Sequence, residues 1–233
     1  MSEHTIVLVH GAFAESASWN GVLTDLGPEF DLVAVANPLR GVGADAAYLR
    51  SVLNGLSGPF VLVGHSYGGM VITEAAAGRT DVDALVYVGA FAPEQGESAL
   101  ELSGKFPGST LGDTLLEYAL AGGETEVRIR PDLFPQQFAA DVPAAAAVLM
   151  AGTQRPVTTA ALAEPLATPT PAWRTIPSWF VYGSNDKNIP AQAQAFMADR
   201  AGARAVDVVE GASHAVAVSS PHRVAEAIRA AAS

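Results

Sequence analysis

Short runs of apolar, often β-branched residues alternate along the chain with longer segments rich in alanine and leucine. The runs are continuous (IVLV, LVYV) rather than alternating, which is typical of parallel strands that are buried on both faces. They predict six strands, at Thr5–His10, Leu32–Ala36, Phe60–Gly64, Ala84–Val88, Trp179–Tyr182 and Ala205–Val209. The intervening segments predict helices at about Ala17–Leu26, Ala44–Leu56, Tyr67–Ala77, Ala191–Ala201 and Pro221–Ala231. This alternation predicts an α/β fold with about six mostly parallel strands and helices on both faces.

One region, residues 93–172, contains no convincing strand. Its patterns predict helices at about Leu111–Ala121, Phe134–Ala140 and Ala144–Ala151, followed by a proline-rich stretch over Glu164–Pro177. A structureless loop of this size is improbable within a compact domain. We therefore expect a helical cap insertion over residues 93–172, carried by a core domain made of residues 1–92 and 173–233.

The charge and the composition narrow the function classes. Of 233 residues 49% are hydrophobic, and 13 Lys and Arg face 24 Asp and Glu, a formal charge of −11. Such a surface repels polyanions, so nucleic acid and anionic membranes are poor partners. The absence of cysteine excludes disulfides, Cys-ligated metals and a thiol nucleophile. Without a basic n-region, a signal-length apolar run or a membrane-length segment, the expected location is the cytoplasm.

The strongest chemical motif is Gly64-His65-Ser66-Tyr67-Gly68, which directly follows an apolar strand and precedes a helical segment. A sharp strand-to-helix turn leaves its central residue strained and exposed, and the flanking glycines allow close approach of the backbone. The helix N-terminus offers unpaired N–H groups to a developing anion. Ser66 is therefore the candidate nucleophile; the alternative is a serine that only caps the helix.

A serine hydroxyl needs an adjacent base. Of five histidines, His214 follows the last predicted strand in a loop at the same edge of the sheet as Ser66, and it is the predicted base. The other four are expected to be solvated or structural: His4, His10, His65 and His222.

The base in turn needs a carboxylate to fix its tautomer. Asp186 lies in the loop after the preceding strand, which gives the chain order Ser66, Asp186, His214. This order is that of α/β-hydrolases and differs from both protease orders. Asp186 could instead be a turn or capping residue, and Glu94 is the reserve acid.

Two backbone N–H groups are expected to form an oxyanion hole. One is that of Tyr67, directly after the nucleophile. The other comes from the loop after the first strand, where Ala12 is preferred and Phe13 is the alternative.

Taken together, these motifs resemble the α/β-hydrolase superfamily, most closely its compact branch of small esterases, plant methylesterases and hydroxynitrile lyases. The matching pieces span nearly the whole chain: Val9–Phe13, Gly64–Gly69, Phe134–Phe138, Tyr182–Pro190 and Gly211–His214. The resemblance implies a three-layer α/β-hydrolase fold whose six-stranded core lacks the first two strands of larger relatives, with a cap across the Ser66 pocket. Lyases of this branch place a lysine after the catalytic histidine and a threonine in the first loop, where this chain has Ala215 and Ala12. The resemblance thus favours an esterase.

The resulting hypothesis is a serine hydrolase that acts on a small, largely apolar carboxylic ester. The alternatives are a lyase, a carbon–carbon hydrolase or a cofactor-free oxygenase on the same fold, or a non-catalytic receptor. No cofactor or metal is expected: no P-loop or metal-ligand spacing is present, and the glycines at 41 and 43 do not directly follow their strand. The oligomeric state is open, a homodimer being one option. The expected pocket lining is Phe13, Phe91, Leu115, Phe134 and Phe138.

Overall fold

In the computed structural model, which describes residues 4–233, nine strands follow one another along the chain. They are β1 (Thr5–Val9), β2 (Asp31–Val35), β3 (Phe60–His65), β4 (Val82–Val88), β5 (Leu115–Ala119), β6 (Thr125–Ile129), β7 (Val157–Thr158), β8 (Ser178–Gly183) and β9 (Ala205–Val209). Six of them form a central sheet in the order β2-β1-β3-β4-β8-β9, and every neighbouring pair is parallel. These are the six strands that the apolar runs predict, which confirms the expected fold class.

Helices cover both faces of this sheet, and four shorter or peripheral ones, α4 to α7, lie between β4 and β8. In chain order the helices of the described residues are α1 (Asn20–Leu26), α2 (Val42–Asn54), α3 (Gly68–Ala75), α4 (Ala99–Ser103), α5 (Phe134–Phe138), α6 (Ala144–Thr153), α7 (Thr159–Ala163), α8 (Ala191–Arg200), α9 (Val216–Ser219) and α10 (Pro221–Ala231). Ile6 and Leu8 of β1 pack in one apolar cluster with α1 and α10, whereas Val7 packs in a second cluster with α2, α3 and α8. Successive side chains of a strand point to opposite faces, so a strand buried on both sides is apolar along most of its length.

The topology places the loops after β1, β3, β8 and β9 at one edge of the sheet, because parallel strands end together. The chain order reverses beside β1, which has β2 on one side and β3 on the other. Ligand crevices of open α/β sheets form outside the carboxyl ends at such a reversal. The loops that carry Ser66, Asp186 and His214 all leave the sheet at this edge.

The segment between β4 and β8, residues 89–177, is called the β4–β8 segment. The sequence predicts that this region is helical, but the structure shows both helices and strands. It contains a three-stranded antiparallel sheet in the order β5-β6-β7, and the helix expected over Leu111–Ala121 is a 3-10 turn followed by strand β5. Leu, Glu and Ala favour a helix here, but Leu115–Ala119 pairs with Thr125–Ile129 across a loop that contains Gly122 and Gly123. Tertiary pairing thus overrides local helix propensity. The other two helices expected in this region are present as α5 and α6.

Several polar contacts join the β4–β8 segment to the sheet core. Arg40, before α2, forms an ion pair with Glu126 of β6. The N–H of Thr158 donates to the Leu39 carbonyl, and the Glu164 carboxylate accepts from the Gly43 N–H at 3.0 Å. Among the described helices, none combines the length and the apolar character that crossing a membrane requires.

Candidate active site

Ser66 occupies a strained turn between β3 and α3. Its φ is +53°, in the left-handed region that non-glycine residues rarely adopt. The turn is possible because backbone packs against Gly64 and Gly68: a Cβ on Gly64 would lie 2.7 Å from the Gly68 carbonyl oxygen, and one on Gly68 would collide with that of Val9. The glycines therefore allow the close approach that the motif predicts. Strain of this kind is concentrated at functional sites.

Asp186 and His214 form a buried pair on neighbouring loops. His214 Nδ1 lies 2.7 Å from Asp186 Oδ2, and both side chains are fully inaccessible to solvent. The other carboxylate oxygen, Oδ1, accepts the N–H groups of Asn188 and Ile189 at 2.8 and 2.9 Å. With Nδ1–H donating to the carboxylate, the neutral ring presents Nε2 as an acceptor. That Nε2 is buried and has no hydrogen-bond partner within residues 4–233.

Ser66 and His214 are linked through shared neighbours, since no hydrogen bond joins the two side chains among the described residues. His65, next to Ser66, places its Nε2 3.0 Å from the His214 carbonyl oxygen, and the two rings are 4.8 Å apart. The loop after β4 lies close to both Ser66 and His214. The Phe91 N–H donates to the Ser66 carbonyl, while a Cβ on Gly89 would lie 3.8 Å from His214 Nδ1.

The backbone around Ser66 provides two candidate oxyanion donors. Neither the Ala12 nor the Tyr67 N–H donates a hydrogen bond within the described part of the chain, and both residues line the pocket that contains Ser66. The alternative donor, Phe13, is excluded because its N–H is bound to the Arg155 carbonyl at 3.0 Å. Gly11 holds the first loop against the nucleophile: a Cβ there would lie 2.5 Å from Ser66 Cβ.

An apolar pocket of about 590 Å³, including its open mouth, lies beside Ser66. Phe13, Phe91 and Leu115 line it as the sequence predicts. So do residues of α4, α7 and the loop before β5, including Leu100, Leu111 and Leu162. The β4–β8 segment therefore supplies much of the wall of this pocket.

The prediction that Phe134 and Phe138 line the pocket is wrong. Both are fully buried and stack on each other at 4.9 Å. Phe138 packs its ring edge-on against His214, also at 4.9 Å, and its carbonyl accepts the Ala215 N–H and the Ser213 hydroxyl. Buried aromatic residues more often build core than pocket walls, and here they support the histidine loop.

Helix α5 also holds the aspartate loop. Gln137 Nε2 donates to Asn188 Oδ1 at 2.8 Å and to the Lys187 carbonyl at 3.0 Å. Gln194 of α8 donates to Asp186 Oδ2 at 3.0 Å. Sequence reasoning missed both glutamines; the only signal was a polar residue at an otherwise apolar helix position. Together these contacts fix the carboxylate and its loop before any ligand binds.

Tyr67 connects the candidate oxyanion hole to a buried carboxylate. Its hydroxyl donates to Asp45 Oδ2 at 3.0 Å, and Asp45 also accepts the Arg40 N–H. Burial raises the pKa of Asp45 despite these hydrogen bonds. Burial, then the neighbouring Asp45, raises the pKa of Tyr67, so the phenol stays protonated and donates.

The remaining histidines have other roles. His10 is buried, accepts the Asn37 N–H on Nε2 at 3.0 Å, and has a pKa lowered chiefly by burial. His4 lies 3.1 Å from Asp83, and the exposed His222 lies near Asp25 and Glu226. The reserve acid Glu94 forms an ion pair with Arg174 instead.

Comparisons with known proteins agree with this architecture. The chain belongs to the alpha/beta hydrolase family, whose model matches residues 6–227. Among curated proteins, a nonribosomal peptide synthetase of Aspergillus flavus, agiA, is 34% identical over 85 residues, which cover 32% of this chain and only 1% of that protein.

Solved structures share the fold over nearly the whole chain. A polyneuridine aldehyde esterase superposes with a TM-score of 0.83 at 19% identity, covering 99% of this chain and 100% of that one. A methylesterase from Arabidopsis gives 0.80 at 20% identity, covering 97% and 98%. A pyrethroid hydrolase from Sphingobium faniae JZ-2 gives 0.75 at 21% identity, covering 98% and 97%.

Proposed function

We propose that this protein is a serine hydrolase that cleaves a small, largely apolar carboxylic ester through an acyl-enzyme. The observation that carries the proposal is the buried Asp186–His214 hydrogen bond at the same sheet edge as the strained Ser66. A buried carboxylate that orients a histidine has an evident use when the free ring nitrogen serves as a base.

In the proposed reaction His214 Nε2 accepts the Ser66 proton as Oγ forms a bond to the ester carbonyl carbon. The tetrahedral intermediate then loses the alcohol, which leaves with the proton held by His214. Water attacks the acyl-enzyme by the same route, releasing the carboxylic acid and restoring the Ser66 hydroxyl. Resting sites often hold nucleophile and base further apart than the hydrogen-bonding distance reached with substrate bound.

The surrounding groups lower the barrier in definite ways. Asp186 fixes the His214 tautomer and stabilises the imidazolium that forms during each step. The N–H groups of Ala12 and Tyr67 are proposed to hold the oxyanion, and losing one such donor typically costs about 3–4 kcal/mol of transition-state stabilisation.

The pocket supports an apolar substrate. The side chains of Phe13, Phe91, Leu111 and Leu115 line it, and none of its lining residues within the described range is charged. The similar structures are named as an esterase, a methylesterase and a pyrethroid hydrolase, which supports ester cleavage as the reaction class. We further propose that residues 93–172 act as a cap, because this region supplies the outer wall of the pocket.

The lyase alternative is disfavoured by the residues beside the candidate base. Ala215 is buried and apolar, as is Ala12 in the first loop. Neither side chain can bind a leaving anion or donate a hydrogen bond.

Hydrolysis of p-nitrophenyl butyrate tests the proposal. We expect turnover by the wild-type protein and a loss of at least about 10³-fold in Ser66→Ala, because the reaction then lacks its nucleophile. Ser51→Ala, on the exposed face of α2, is the matched control and should retain the wild-type rate. Equal rates for Ser66→Ala and the wild type would refute the proposal.

A further inference from the structure

A second pocket also borders Phe13, and Ser66 is not among its lining residues. It has a volume of about 790 Å³, including its open mouth, and is formed between α6 and the turn after β1. Its apolar lining comes from Ala14, Ala17, Ala146, Leu149, Met150 and Val218. The carboxylate at its edge, Glu15, is neutralised by Arg155 at 2.9 Å. The other lining residues include the polar but uncharged Ser18, Asn20, Thr153 and Gln154, so this second pocket suits an uncharged, largely apolar group.

Phe13 is the one residue that lines both pockets among the described residues. Its side chain is buried, and its backbone has a φ of +61°, which is unusual for a residue with a large side chain. The hydrogen bond from the Phe13 N–H to the Arg155 carbonyl holds this backbone in place. Phe13 therefore lies where the two pockets border each other, with its main chain held by this hydrogen bond.

We propose that Phe13 is a specificity-determining residue that limits the chain length of the ester by closing the Ser66 pocket off from the second pocket. This inference rests on the proposed ester hydrolysis. Removing the ring should join the two spaces and admit a longer apolar chain. Each methylene that becomes buried contributes about 0.8 kcal/mol, or about fourfold in kcat/KM.

The test compares p-nitrophenyl octanoate with p-nitrophenyl butyrate for the wild type and Phe13→Ala. We expect the octanoate-to-butyrate ratio of kcat/KM to rise at least about tenfold in Phe13→Ala. Phe13→Leu, which keeps more of the packing, should shift the ratio in the same direction by a smaller factor. A parallel series of octyl and butyl acetates shows whether the acyl or the alcohol chain enters the second pocket.

A substitution that fills the second pocket tests whether the longer ester chain enters it. Ala146→Phe fills the second pocket and should return the ratio of Phe13→Ala towards the wild-type value. Ala145→Phe is the matched control, because Ala145 is exposed on the same helix and lines neither pocket. The inference is overturned if both Phe13 variants leave the octanoate-to-butyrate ratio and the octyl-to-butyl acetate ratio within twofold of the wild-type values. It is also overturned if Ala145→Phe lowers the raised ratio of Phe13→Ala as much as Ala146→Phe does.

The design separates this inference from the proposed function. Unchanged ratios with normal butyrate turnover refute the role of Phe13 alone. Absent turnover in the wild type refutes ester hydrolysis. In that case equilibrium binding of the same esters to Ser66→Ala and Ser66→Ala/Phe13→Leu decides the role of Phe13, with tighter octanoate binding expected in the double variant and unchanged binding overturning it.

Discussion

The parallel sheet and the β4–β8 segment contribute to the same pocket but are specified in different ways. Strands β1 and β3 are buried throughout and are mostly apolar, so the sequence alone predicts them. Strand β5 is mostly exposed, and its residues form a strand only because β6 lies beside them. The comparison teaches that the local hydrophobic pattern is enough to specify the core strands, which position the candidate catalytic residues. The secondary structure of the β4–β8 segment depends instead on the elements that it packs against.

The largest difference between the two regions is expected for their acidic residues. Asp186→Asn should lower kcat about 10⁴-fold, because the amide presents a donor to His214 and no longer selects the productive tautomer. Glu94→Gln, in the β4–β8 segment, is the control, since Glu94 pairs with Arg174 at the surface. Its kcat should stay within twofold. Steady-state kinetics with p-nitrophenyl butyrate measures both, and a loss with Glu94→Gln comparable to that of Asp186→Asn would contradict the assignment.

The next largest difference is expected for glycines. Gly11→Ala places a Cβ 2.5 Å from Ser66 Cβ, so the nucleophile or the first loop must move. We expect a destabilisation of about 1–3 kcal/mol and a loss of about 100-fold in kcat.

Gly122, in the β5–β6 loop, has open space around its Cα and is the matched glycine of the segment. Gly122→Ala should change the free energy of unfolding by less than about 0.5 kcal/mol and leave kcat unchanged. Urea unfolding together with kinetics checks the pair. A tolerated Gly11→Ala would show that the core edge is less tightly packed than we describe.

The smallest difference concerns acid stability. Burial, then the neighbouring His214, lowers the pKa of His65 well below 6.5. The unfolded chain therefore binds a proton below about pH 6.5 that the folded chain does not. As the pH is lowered below about 6.5, the free energy of unfolding should therefore fall by up to about 1.4 kcal/mol per pH unit. His65→Gln, which keeps a donor for the His214 carbonyl, should flatten that slope.

Glu126 of β6 provides the comparison from the segment. Burial raises its pKa, but hydrogen bonds from Tyr118 and Arg40 outweigh burial and hold the pKa below 4.5. Its contribution to stability is present above this value and is lost as the pH falls through the folded pKa. Urea titrations at pH 7.5 and 5.5 should therefore show parallel losses for the wild type and Glu126→Gln. A wild-type slope in His65→Gln would contradict the assignment to His65.

Sequence reasoning located the sheet and the loops with Ser66, Asp186 and His214, because buried parallel strands carry a strong local signal and their ends meet at one edge. It missed strands β5 and β6, since Leu115–Ala119 contains good helix formers and its pairing is a tertiary effect. It also placed Phe134 and Phe138 in the pocket, although these rings support the His214 loop. Which face of a short helix meets a pocket depends on packing that no local pattern encodes.

The central claim is that Ser66 is a nucleophile activated by the His214–Asp186 pair. Labelling with a fluorophosphonate probe, followed by intact-mass and peptide analysis, tests it most directly. We expect one adduct per chain, located on Ser66, no adduct in Ser66→Ala, and strongly slowed labelling in Asp186→Asn. An unlabelled wild-type protein, or an adduct on a different serine, would contradict the account.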